Sequence, residues 1–297
     1  MAPASTARRT RPARSTPRPA SHAATRSQPL PRPLHLELPR LTEQLTSAYR
    51  AAIRAVRQRA SRGAIHTLRI TTRRIYSLLT LLQAVDPQPK SAPLERYLEA
   101  PFDTCGQLRD LQVMARRVRT MGLAPTATAQ LHRIVERLKP RAQARAMRAL
   151  TKAHPRRIEK MLRAWALSSA SRLQPPAAEA LAVRRIGRTL AAAARELSSA
   201  QAHARSGHAT AIHHARIVLK QRRYLLELVA TLGLRHSSVE LARLRRLQQQ
   251  LGELTDQLLM LRILERYARK HPRAARRLAP LQALLAAQPR RRATVGH

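Results

Sequence analysis

From Leu36 onward, large apolar residues return every three or four positions, with Pro and Gly falling mostly between the periodic runs. This spacing predicts helices over 40–60, 62–84, 94–121, 126–171, 176–206, 208–233, 236–270 and 272–287, with Pro155 a candidate break in the fourth. That makes eight helices with short connections, four in each half, as antiparallel neighbours in a bundle require. No alternating Val/Ile/Thr-rich stretch calls for a strand, so the expected class is all-α. Residues 1–34 break the pattern. Up to Pro33 they hold seven arginines, seven prolines and no acid, with almost no large apolar side chain. Such a segment buries too little surface to offset its ordering entropy and is expected to be a disordered arm. Its arginines add general attraction to a polyanion, and a DNA-binding arm is the sharper alternative. A transit peptide is disfavoured, because the prolines would break its helix. Residues 291–297 are expected to be a short tail.

The two halves, 35–172 and 173–290, resemble each other. Ile65-His66-Thr67-Leu68-Arg69 leads to Arg73, and Ile212-His213-His214-Ala215-Arg216 leads to Lys220. His, Arg and a further cation thus stand at positions 0, +3 and +7 in both, 147 residues apart. Downstream, Gly106 to Asp110 matches Gly252 to Asp256 at an offset of 146. In so Arg-rich a chain either match alone is weak. Their nearly common offset argues for a duplicated four-helix unit packed about a pseudo-twofold axis.

At about 100° per residue, His66, Arg69 and Arg73 share one helix face, as do His213, Arg216, Lys220 and Arg223. Ile65, Leu68, Ile75, Leu78, Leu79 and Leu82 lie largely on the other side, as core contacts. Solvated helix faces usually mix signs, whereas segment 61–84 carries four arginines and no acid, and 205–233 five Lys or Arg and one acid. Like charges in a row repel, and a bound anion would compensate them.

Composition sharpens this. The 297 residues include 57 Lys or Arg against 16 Asp or Glu, a formal net charge of +41, and only six of the cations are lysines. Arginine suits phosphate, because its planar fork donates two parallel hydrogen bonds and stays charged at any physiological pH. The single cysteine, Cys105, excludes a disulfide scaffold or cysteine-cluster metal site and fits a reducing compartment. No 18-residue apolar run and no signal-peptide pattern is present, which leads to the expectation of a cytoplasmic protein.

The stretch from Ile65 to Arg74 resembles the signature of the CHAD family, the conserved histidine α-helical domain. Ile212 to Arg216, with Lys220 and Arg223-Tyr224, resembles its second signature, and Gly106 to Asp110 and Leu251 to Asp256 resemble its Gly-then-Asp helices. The resemblance covers about 37–287. It implies two four-helix bundles about a pseudo-twofold axis, with a basic central groove or channel that binds inorganic polyphosphate, and bacterial members associated with polyphosphate granules. It implies phosphate-ligand roles for His66, Arg69, Arg73, Arg74, His213, Arg216, Lys220 and Arg223, with Arg109 an addition. Two departures stand out: Tyr76 replaces a basic residue of the first signature, and Thr255 replaces the counterpart of Arg109. Independently of the resemblance, charge periodicity marks Arg141, Arg145, Arg148 and Lys152 as a further basic face, with a merely solvated face equally open. Asp110 and Asp256 are expected to orient arginines through ion pairs, a plain interhelical salt bridge being the alternative. Each histidine can donate a hydrogen bond to a phosphate oxygen. Bound phosphate favours imidazolium, so affinity is expected to rise as pH falls through about 6.5.

Catalysis finds no support. There is no phosphate-binding Gly-rich loop followed by Lys-Ser/Thr, no Gly-x-Ser-x-Gly and no His-Glu-x-x-His. The acids are too scattered to hold catalytic divalent metal, and no cofactor is expected. The expected activity is binding without turnover. Sequence-independent nucleic-acid binding is the rival reading, since charge alone permits it. Seven aromatic residues leave few platforms for stacking bases, which disfavours single-strand recognition.

Overall fold

The computed structural model describes residues 32–87, 91–120, 124–234 and 237–287. Among them are nine α-helices and no strand: α1 (Leu34–Gln58), α2 (Arg62–Val85), α3 (Ser91–Arg117), α4 (Pro125–Thr151), α5 (Pro155–Arg172), α6 (Pro176–Ala204), α7 (Ala209–Thr231), α8 (Ser238–Lys270) and α9 (Pro272–Ala287). A short 3-10 turn, Val118–Thr120, follows α3. The all-α expectation holds. The run expected over 126–171 is two helices, because Pro155 lacks an N–H to continue α4 but is preorganised to begin α5. The arm lies outside the described residues up to position 31, and the tail 291–297 lies wholly outside them.

Local chemistry sets several boundaries. Ser61 caps α2 by accepting from the Ala64 N–H at 3.1 Å, and Ser237 caps α8 by accepting from Glu240 N–H at 3.1 Å. Gly233, at φ 72°, lets the chain turn out of α7. The first helix begins at Leu34 rather than at 40, and Pro39 lies inside it. Burial of Leu34 and Leu38 offsets the missing backbone bond, and Glu179 of α6 accepts the Leu34 N–H at 2.7 Å.

Helix α1 packs on α2 and α5, α3 on α2 and α4, and the series α6–α7–α8–α9 packs neighbour to neighbour. Helix α2 also packs against α6 and α7, and that seam positions the candidate site. One large core unites α1 to α5 with parts of α6 to α9, and a smaller core lies among α6, α7 and α8 from Leu241 to Leu258. Ile65, Leu68, Ile75, Leu78, Leu79 and Leu82 are all buried, as their spacing required. At the end of α2, Asp86 accepts from Arg172 Nη1 at 2.6 Å and Ser169 Oγ at 3.2 Å, while its carbonyl accepts from Trp165 Nε1 at 3.2 Å. These bonds strap α5 to α2. No helix among the described residues is long and apolar enough to cross a membrane.

Candidate functional site

Because the leucines and isoleucines of α2 face the core, its opposite stripe turns toward α3 and α7. Arg69 reaches α3, where its Nη1 donates to the Phe102 carbonyl at 2.8 Å and its guanidinium lies 4.3 Å from the centre of the Phe102 ring. Arg73, one turn on, lies 5.2 Å from the same ring. Phe102, the sole phenylalanine of the chain, thus carries two like charges on one π-system. Gly106 makes room for this arrangement, since a Cβ there would come within 2.5 Å of Arg69 Nη1. At Gly252, the matching position in the second half, a Cβ would meet nothing within 4 Å.

Helix α7 brings Arg216 and Lys220 into the same electrostatic neighbourhood, and α3 adds Asp110. Burial pushes the Lys220 ammonium down to about 6, and repulsion by Arg73, Arg216 and Arg69 pushes the same way, with Asp110 opposing. Arg73 is lowered to about 10, by burial first and then by Arg69. Burial and then surrounding arginines lower His66 and His213, so both imidazoles favour the neutral form in the free protein. Burial raises the Asp110 and Asp256 carboxyls despite nearby cations. Neither carboxylate has a Lys, Arg or His nitrogen within 4.0 Å among the described residues, so neither forms the expected close ion pair. They act through the field instead: Arg69, Arg216 and Lys220 feel Asp110, and Arg216 and Arg109 feel Asp256. Two buried guanidinium nitrogens, Arg109 Nη1 and Arg216 Nε, have no hydrogen-bond partner among the described residues. His35 Nδ1, Tyr49 Oη and Gln112 Oε1 share that state, and a bound anion or water can accept from the two guanidinium nitrogens.

A cavity of about 940 Å³ opens between α2, α3, α6 and α7, and Arg69, Arg73, Asp110 and His213 belong to its lining. The other sequence-derived residues are placed differently. Arg74 is exposed on α2, and Arg141, Arg145, Arg148 and Lys152 are exposed on and just beyond α4, outside that lining. Arg223 is committed within the fold, donating to Glu227 Oε1 at 2.6 Å and to Gln248 Oε1 at 2.8 Å, with its side chain only 12% exposed. Sequence reasoning missed Phe102, Gly106 in its space-making role, and the support that Tyr224, quoted only as part of the second signature, gives to Arg73. The rarity of phenylalanine was a usable signal for the first. The repeat flagged Gly106 without giving its purpose.

Fold and site together define an all-helical domain with a half-buried, cation-rich seam between α2 and α7. A profile of the CHAD domain family matches residues 40–265, and the chain belongs to that family. The crystal structure of the CHAD domain from the plant Ricinus communis has a similar fold: TM-score 0.71 at 24% sequence identity, covering 92% of this chain and 93% of that one. No curated protein matches the sequence.

Proposed function

We propose that this protein binds inorganic polyphosphate without turnover, along paired basic stripes of α2 and α7. The observation that carries this reading is the concentration of Arg69, Arg73, Arg216 and Lys220 in one half-buried neighbourhood, with donors on Arg216 and Arg109 unsatisfied. Such a cluster repels itself until an anion enters, and a chain of phosphates supplies charge and acceptors at the repeat such a row needs. Membership of a family associated with polyphosphate binding supports it. His66 and His213 stand beside the cluster as additional donors. Arg74, Arg141, Arg145 and Arg148 are outlying contacts for a long polymer, and Arg223 helps to hold α7 against α8. The pairing of α2 with α7 is the expected middle of a pseudo-twofold duplication, and granule association is the expected cellular consequence.

Competition tests the reading. Immobilised full-length protein is loaded with long-chain polyphosphate, then challenged with duplex DNA and RNA at equal phosphate concentration near physiological salt. Retention of polyphosphate is expected. Ready displacement by nucleic acid would transfer the assignment to the rival reading.

A further inference from the structure

The cavity beside Arg69 and Arg73 has a second character that a bare phosphate chain leaves unused. Tyr76 and Phe102 meet there edge to face, with ring centres 5.8 Å apart. Three exposed carboxylates, Glu95, Asp103 and Glu196, also border it. None of the three forms an ion pair among the described residues, in a chain with 57 cations. A bare polyanion would be repelled by this part of the lining, whereas a ligand that brings hydrogen-bond donors would be accepted there. The repeat points the same way. Tyr76 stands 147 residues before Arg223, the same offset that relates Arg69 to Arg216 and Arg73 to Lys220. One half therefore has a ring where the other has a guanidinium.

We propose that this cavity binds a nucleoside polyphosphate, with its phosphates on Arg69 and Arg73 and its base against Tyr76 and Phe102. The inference rests on the phosphate-binding reading of those two arginines and adds a head group to it. A nucleobase supplies a planar face for the rings, and its amino groups, with the ribose hydroxyls, donate to Asp103, Glu95 and Glu196. At about 940 Å³ the cavity is at the roomy end of small-ligand pockets. The phosphates lie toward α7, where Arg216 extends the positive field.

Calorimetric titration of the full chain with ATP, GTP and tripolyphosphate, in chelator at near-neutral pH, tests this. ATP or GTP is expected to bind about tenfold tighter than tripolyphosphate, the scale of one base-stacking contact. Tyr76→Ala removes that preference while tripolyphosphate binding stays within about threefold, and Tyr76→Arg reverses the order. Equal or weaker nucleotide binding by the native chain overturns the proposal, as does a Tyr76→Ala loss shared by both ligands. If long-chain polyphosphate still binds in those cases, only the nucleotide inference falls. Failure of every phosphate ligand, the long chain included, removes the functional reading as well.

Discussion

Replacing Gly106 by alanine separates the site from the scaffold. The new Cβ would stand 2.5 Å from Arg69 Nη1 and 3.3 Å from Arg69 Cζ. Comfortable non-bonded separation is about 3.5 Å, so the guanidinium must retreat by roughly 1 Å. That retreat stretches its 2.8 Å bond to the Phe102 carbonyl past hydrogen-bonding range. The loss of this charge-assisted bond costs about 1.5–3 kcal/mol, with some weakening of the contact to the Phe102 ring. Alanine in mid-helix returns about 1 kcal/mol relative to glycine. The net destabilisation is therefore about 0.5–2 kcal/mol, and the midpoint of thermal unfolding falls by no more than about 8 °C. Binding does not share the compensation. A displaced Arg69 forfeits charged hydrogen bonds to phosphate worth about 1.5–3 kcal/mol, or roughly 10- to 150-fold in polyphosphate affinity. Gly252→Ala is the internal control, since its Cβ enters open space and binding should stay at the native level. Thermal melts and polyphosphate titrations of both variants provide the assay. A Gly106→Ala protein that melts normally and binds like the native chain would refute the placement of Arg69 in the site.

Further outcomes follow from the same geometry. Lys220→Met should raise the melting temperature of the ligand-free protein and lower polyphosphate affinity, because burial drives the native amine to give up its proton at a cost that methionine does not bear; a lower melting temperature would contradict this. The free protein should grow more stable as pH rises from about 6 toward 9, because the lowered Lys220 is charged in the unfolded chain but increasingly neutral in the folded one; above about 9 the raised Cys105 thiol opposes this. The lowered histidines add to the same slope up to their ordinary range near 6.5. Polyphosphate should reverse this by returning protons to Lys220, His66 and His213, so affinity falls as pH rises from about 6, with net proton uptake measurable in buffers of different ionisation enthalpy; a flat affinity profile would exclude all three groups. Asp86→Ala, remote from the stripes, should cost about 1–2 kcal/mol by removing the acceptor of Arg172, which stays hydrated, while Ser169 keeps its bond to the Trp165 carbonyl. Its polyphosphate affinity at a temperature where the variant is folded should be unchanged.

The helices were legible because each buries one stripe, and a 3.6-residue period records that burial whatever the neighbours. The expectation that α2 turns one face inward and another toward a ligand rested on the same arithmetic. What a helical wheel omits is which helix covers each face. Arg73 and Arg74 are adjacent in sequence, yet one lies near the Phe102 ring and the other points outward. Arg223 shares the stripe angle of Arg216 but meets Gln248 on α8 before any ligand, and its partner Glu227 was visible at i+4 in the sequence. Asp110 and Asp256 stand out in the sequence as acids beside basic stripes. Their separation from the nearest cations depends on backbone distances that spacing does not encode.

Gathering unbalanced charge at the α2–α7 seam also sets how long an empty molecule lasts. On the proposed reading the self-repelling cluster is stabilised by the polymer it binds, so occupied copies resist unfolding more than empty ones. A quality-control protease acting on unfolded chains would remove idle copies first. The abundance of the protein would then track the supply of its anion with no dedicated sensor.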